Sequence, residues 1–165
     1  MQLTKFSDYA LRVVLHLANS NTTLVTTREI ASIHRIKYNH LSKVTQALVR
    51  LGYLEAIRGR NGGVRLAKDP KHIRLGQMMQ ELEANTGLVE CLSETNSCCA
   101  FSGRCGVSDI FKEAEKIFFA YLEGFTVADA IERKPCILQV VERMNSQIES
   151  NNALSMWLSG LDPLV

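Results

Sequence analysis

Several things are missing from this 165-residue chain, and each absence narrows what it does. No apolar run is long enough to span a membrane. The longest near the start, Val13 to Ala18, is short and contains His16. The opening Met-Gln-Leu-Thr-Lys lacks the character of a secretory signal, so a cytoplasmic address is expected. No GxGxxG or Walker pattern is present, which weakens any nucleotide-binding reading. No Ser/His/Asp or Cys/His constellation suggests catalysis, so the chain is not expected to be an enzyme. Internal repeats, low-complexity segments and CxxC zinc knuckles are also missing.

What is present is divided by charge. Residues 1–83 carry 13 Lys+Arg against 6 Asp+Glu, a net of +7, whereas residues 84–165 carry 6 against 11, a net of −5. All four histidines, His16, His34, His40 and His72, lie in the basic half. Such asymmetry points to a polyanion as the partner of the first half alone, the plain alternative being uneven solvated faces.

The patterning of the first half agrees. Thr4 can cap a helix to about Asn19, with Phe6, Tyr9, Ala10, Val13, Val14 and Leu17 at helical spacing. Asp8 and Arg12 stand at i,i+4, the spacing of a surface ion pair. Thr26-Thr27-Arg28-Glu29 forms a capping box and opens a short helix with Ile30, Ala31 and Ile33. A second helix is expected from about Asn39 to Leu51, with Leu41, Val44, Leu48 and Leu51 inward and Gly52 after its end. Together these describe a helix-turn-helix.

The polar residues Arg28, Lys37, Tyr38, Asn39, His40, Lys43 and Gln46 are of types that reach phosphates and base edges. On their own they could equally be a solvated helix face. The next segment decides for DNA: Tyr53–Arg58 and Val64–Ala67 alternate like paired strands around Gly59-Arg60-Asn61-Gly62-Gly63. Arg58, Arg60, Asn61, Gly62 and Arg65 then form a basic wing able to meet backbone or minor groove. Asp69-Pro70 ends the wing, and Ile73, Met78, Met79 and Leu82 suggest a connecting helix, the methionines as core filler.

Four of the five cysteines, Cys91, Cys98, Cys99 and Cys105, fall in one loop at the charge seam. Adjacent Cys98 and Cys99 do not easily ligate one tetrahedral ion together, so three of the four would serve. Zinc, an iron–sulfur cluster with a further or open fourth position, and a thiol switch all remain open on this pattern. Beyond the loop, Ser108 or Asp109 is expected to cap a helix to about Glu123, with Ile110, Phe111, Ala114, Ile117, Phe118, Tyr121 and Leu122 as a wide apolar stripe. That stripe suits a two-fold interface or packing on its own chain. A short helix follows over Thr126–Ile131. After Pro135 one more helix is expected over Cys136–Ile148, then a weakly specified tail.

The chain resembles the iron–sulfur winged-helix transcription regulators that include NsrR, IscR, RirA and the cluster-free CymR, over nearly all of residues 1–132. The resemblance is carried by Met1-Gln-Leu-Thr-Lys-Phe-Ser-Asp-Tyr-Ala-Leu-Arg12, by Asn39-His40-Leu41-Ser42-Lys43 and by Gly52-Tyr53-Leu54. It continues through Arg58 to Leu66, the cysteine loop and Thr126-Val127-Ala128-Asp129. It implies a mainly α fold with a small β-hairpin wing: a winged helix-turn-helix (1–83), a cluster-binding loop (84–106), and a dimerisation helix with a short helix (107–132). A C-terminal extension (133–165) has no assigned role. It further implies a homodimeric repressor of a palindromic, AT-rich DNA operator.

Seven residues between Cys91 and Cys99, and five between Cys99 and Cys105, resemble the NsrR arrangement, with Cys98 as the alternative ligand. The histidine that IscR-like members carry two positions after the third cysteine is Val107 here. The aspartate that NsrR-like members use from the partner subunit is Asp8. The resemblance therefore implies nitric oxide as the signal and an iron–sulfur cluster, 4Fe-4S favoured over 2Fe-2S, with iron supply, redox sensing and electron transfer as rival roles.

Overall fold

The computed structural model describes residues 3–20, 24–59, 62–84, 86–92, 99–101 and 104–133. The first helix, α1 (Lys5–Asn19), begins where expected, with the Thr4 hydroxyl accepting from the Ser7 amide. It runs through the core: Ala10, Val13 and Val14 are fully buried, and Leu11 and Leu15 are partly buried against other core residues. α2 (Thr27–Ile33) starts at the Thr26/Glu29 capping box, and α3 (Tyr38–Arg50) packs on both α1 and α2. α3 buries Leu41, Val44 and Leu48, but Leu51 ends outside the helix and 38% exposed, so the inner stripe stops one turn short of expectation. The chain reverses at Gly52, whose φ of +74° suits glycine after a helix end.

The wing is an antiparallel hairpin of β1 (Leu54–Ile57) and β2 (Gly63–Leu66), registered Leu54 to Leu66 and Ile57 to Gly63. Val25 joins β2 through a bridge at Val64, tying the hairpin's root to the segment before α2. At Gly62 a β-carbon would strike the Ile57 carbonyl oxygen, so the tight return of the hairpin depends on glycine there.

A short 3-10 turn (Pro70–His72) leads to α4 (Leu75–Leu82), where Met78 and Met79 are core residues as expected. α5 (Gly106–Glu123) starts earlier than expected. Cys105, not Ser108 or Asp109, occupies the cap position; the Ser108 hydroxyl donates back to the Cys105 carbonyl at 3.0 Å. α6 (Val127–Glu132) opens on a second capping box, Thr126 with Asp129. The helix expected over Cys136–Ile148 and the tail lie outside the described residues.

α5 has no fully buried residue. One side packs on α4, with Phe119 and Leu122 against the core. The crossing is close because Gly76 has no side chain: a β-carbon there would stand 2.5 Å from the Phe119 carbonyl oxygen and 2.7 Å from the Glu123 Cα. Backbone cannot yield as a side chain tip can. Gly76→Ala is expected to cost about 1–3 kcal/mol through overpacking, seen as a melting temperature lowered by several degrees in a thermal scan; an unchanged midpoint would contradict this reading of the crossing.

Candidate nucleic-acid interface and cysteine centre

α3 presents two different faces. Its inner residues are buried, while Lys37, Tyr38, Asn39, His40, Lys43 and Gln46 are all exposed along the opposite face and the turn before it. Arg28, near the start of α2, reaches the same end, its guanidinium carbon 4.8 Å from the centre of the Tyr38 ring. In the wing, Arg58 is exposed, while Arg65 pairs across the strands with Glu55 at 2.8 Å. Gly62 closes the turn; Arg60 and Asn61, expected at its tip, lie outside the described residues.

Asp8 and Arg12 form the expected ion pair at 2.8 Å, both side chains about half exposed. Asp8 lines an open hollow shared with Lys5, His34 and Arg35, and bordered by Phe118 of α5. Of the cysteines, Cys91 is half-buried in a 3-10 turn (Glu90–Leu92) that touches α5, Cys105 is half-buried at the start of α5, and Cys99 is exposed. Cys98 lies outside the described residues, so the choice between it and Cys99 is not addressed. No three His, Cys, Asp or Glu side chains converge as a metal-binding group among the described residues.

The donor chemistry fits iron all the same. None of the three described thiols belongs to the hydrophobic core, where an inert cysteine would sit. Thiolate sulfur is the usual ligand of iron–sulfur clusters. Cys105 also stands at the positive end of an 18-residue helix, which favours anionic groups.

α5 turns an apolar seam outward. Val107, Ile110, Ala114, Ile117 and Tyr121 are exposed at alternating spacings of three and four, the repeat of a coiled-coil seam. Val107, Ile110, Ile117 and Tyr121 are each more than half exposed. Phe118, read with that stripe, is instead half-buried and turned towards α1.

Residues 3–133 match the family described as Rrf2, iron-dependent transcriptional regulators. The chain belongs to the Rrf2 family. It is 42% identical over 132 residues to the HTH-type transcriptional regulator NsrR of Shouchella clausii, covering 79% of this chain and 89% of that one. It is 36% identical over 143 residues to NsrR of Bacillus subtilis, covering 86% and 98%. Among solved structures, CymR, the global cysteine regulator of B. subtilis, superposes with a TM-score of 0.62 at 19% identity, covering 81% of this chain and 98% of that one. IscR of T. potens gives 0.60 at 19%, covering 81% and 88%. These neighbours bear out the winged-helix fold. The Rrf2 chain is a transcriptional regulator and not an enzyme, and no helix among its described residues is long and apolar enough to cross a membrane.

The four histidines of the basic half differ in their surroundings, His40 being exposed on α3 and His16 buried. His16 is 2% exposed between α1 and α2, its ring edge-on to His34 at 5.3 Å. Neither His16 Nδ1 nor His34 Nε2 has a hydrogen-bond partner among the protein atoms. The signal was its place inside the apolar run Val13–Ala18. Burial first, and then the charge of His34, push His16 down from 6.5 to about 4, with Glu29 acting the other way. His34 is lowered as well, by burial and then Arg12, against the pull of Asp8.

The consequence for stability has a definite sign. Above pH 6.5 the His16 imidazole is neutral in both folded and unfolded chains. Between 6.5 and about 4 the unfolded chain takes up a proton that the folded one refuses. Stability is therefore expected to fall across that window by up to about 1.4 kcal/mol per pH unit for this group. Urea midpoints at pH 7, 6 and 5 should decline, and His16→Gln should flatten the slope; equal slopes for both proteins would refute the assignment.

Proposed function

We propose that this Rrf2 regulator is a homodimeric, DNA-binding repressor that senses nitric oxide through an iron–sulfur cluster. The observation that carries the DNA part is the division of α3: its apolar face is consumed by the core, and its exposed face consists of phosphate- and base-reaching side chains. Arg58, Arg60, Asn61, Gly62 and Arg65 of the wing hold the flanking backbone or minor groove. The outward seam of α5 joins two copies and spaces the two α3 helices for half-sites about one helical turn apart. Its length of 18 residues and its three–four repeat support this use.

Cys91, Cys99 and Cys105 hold the cluster, with Asp8 of the partner subunit as fourth ligand and Cys98 as the alternative thiol. A 4Fe-4S cluster is favoured over 2Fe-2S. Support comes from the soft donor set outside the core, and from the similarity to NsrR regulators. When bound, such a cluster supplies iron with which nitric oxide reacts. The chain's own part is transmission. Asp8 belongs to α1, which packs directly on α3, so a changed partner for that carboxylate bears on the recognition helix through the core. The family's iron-dependent description favours iron or cluster supply as a second signal on the same scaffold.

The test is to purify the protein anaerobically, record visible and EPR spectra, and titrate nitric oxide while following binding to a palindromic AT-rich duplex. Loss of binding on titration is expected. A colourless zinc protein, or a cluster indifferent to nitric oxide, would remove the reading; dependence on iron loading alone would select the second signal. Asp8→Ala should still assemble a cluster but show a blunted DNA response, and an unaltered response would end that role for Asp8. Ile117→Glu places charge in the α5 seam and is expected to yield monomers in sedimentation at native fold; a retained dimer would move the interface elsewhere.

A further inference from the structure

We propose that Arg28 and Tyr38 act as one recognition unit, in which the Tyr38 ring steadies the Arg28 guanidinium at the reading end of α3 and Arg28 selects a guanine. This rests on the DNA-binding reading above and deepens it, by separating the side chain that chooses sequence from those that hold the backbone.

Arg28 is the second residue of α2, and Tyr38 the first of α3. The turn between the helices brings their starts together, so that the guanidinium carbon lies 4.8 Å from the ring centre. Both residues are exposed, Tyr38 by 43%, and the pair contributes to no core contact that would explain it. In a helix-turn-helix this end of the second helix meets base edges.

The Asp8 and Glu55 carboxylates are committed to Arg12 and Arg65, each at 2.8 Å. The adjacent Glu29 accepts from the Thr26 amide and hydroxyl at 2.7 and 2.8 Å, so its carboxylate is committed to the capping box. Among the described residues Arg28 makes no ion pair, and its guanidinium lies over the Tyr38 ring. A guanidinium on an aromatic face keeps its edge donors available and loses rotamer freedom before binding, which lowers the entropic cost of docking. That planar fork matches O6 and N7 of guanine, whereas Lys37 and Lys43 present point charges suited to phosphate.

The experiment selects binders from a pool of duplexes with a randomised core. Affinity is then measured on the selected duplex and its single-base variants over a range of salt, for the wild type and for Arg28→Lys, Tyr38→Ala, Tyr38→Phe and Lys43→Ala. The wild type is expected to select one guanine in each half-site. Arg28→Lys keeps the charge but loses the fork: preference at that position should fall by about 5- to 150-fold, with an unchanged salt slope. Tyr38→Ala should lose most of the same preference and Tyr38→Phe should keep it. Lys43→Ala should weaken all duplexes alike. Uniform weakening by Arg28→Lys, or equal losses for the two Tyr38 variants, would overturn the unit while leaving DNA binding intact. A wild type that enriches no duplex and shows no salt-dependent binding would overturn both readings. Unfolding midpoints close to wild type are expected for all four variants, because every altered side chain is exposed.

Discussion

The contact between α4 and α5 governs how the rest of this molecule is disposed. α5 buries no residue completely, so its hold on the winged domain cannot come from a surrounded side chain. It comes from one close crossing at Gly76 and from hydrogen bonds at the ends. The Glu123 carboxylate accepts from the Gln77 amide at 2.7 Å, in the first turn of α4. The Phe125 carbonyl accepts from Leu75, and the Ile73 carbonyl accepts from Val127. These bonds lock the C-terminal end of α5 to the N-terminal end of α4, and Phe119 packs between. The remaining face of α5, with its apolar seam, is left pointing away from the core. In the proposed dimer, the distance between the two α3 helices is therefore set by this crossing rather than by α3 itself.

Helix starts show a related economy. α1, α2 and α6 each begin on a threonine hydroxyl. α2 and α6 complete the box with their own acid three residues on, Glu29 and Asp129. α1 has Ser7 at that position, and the acid comes instead from Glu83 at the far end of α4, whose Oε1 accepts from the Thr4 amide and hydroxyl at 2.9 and 2.8 Å. α4 is likewise served from a distance by Glu123. Among the described residues, α3 and α5 receive no side-chain cap. Those are the helices whose beginnings face the proposed DNA and the cysteine loop, where phosphate oxygens and thiolates would supply the negative charge that capping supplies elsewhere.

These features also explain what could be read from the chain alone. A capping box lies within four consecutive residues, so Thr26 to Glu29 was visible, and with it the start of α2. Alternation around Gly59–Gly63 marked the wing, and the i,i+4 spacing of Asp8 and Arg12 gave their ion pair. Contacts that join distant segments left no local mark. Nothing near Thr4 signals Glu83, nothing near Gly76 signals Phe119, and the Arg28–Tyr38 stack depends on a turn whose geometry includes Arg35 at φ +53°. Leu51 misled because helical spacing continued one residue beyond the helix. At α5, two good cap formers at Ser108 and Asp109 suggested a late start, but the helix reaches back to Gly106, with Cys105 before it. Composition and spacing marked the cluster of four thiols, whereas the choice of Cys91, Cys99 and Cys105 came from the family resemblance, and among the described residues no metal-binding group converges.

α1 is the element through which these parts bear on one another. Its N-terminus is tied by Thr4 to Glu83, which is 7% exposed and lies at the end of α4 from which the chain proceeds towards Cys91. One turn further, its surface carries Asp8. Its middle, with Val13, Val14 and His16, is packed in the core with α3. A helix held at one end and buried along its length moves as a rigid rod, because close-packed interiors transmit displacement rather than absorb it. Any change in what Asp8 binds must then act near the tethered end, where the hollow beside Phe118 leaves room, and reach α3 through side chains that have none. The neutral histidine pair sharpens that constraint. A charge introduced at His16 would have to be accommodated within the rod itself, at the contact between α1 and the helix-turn-helix.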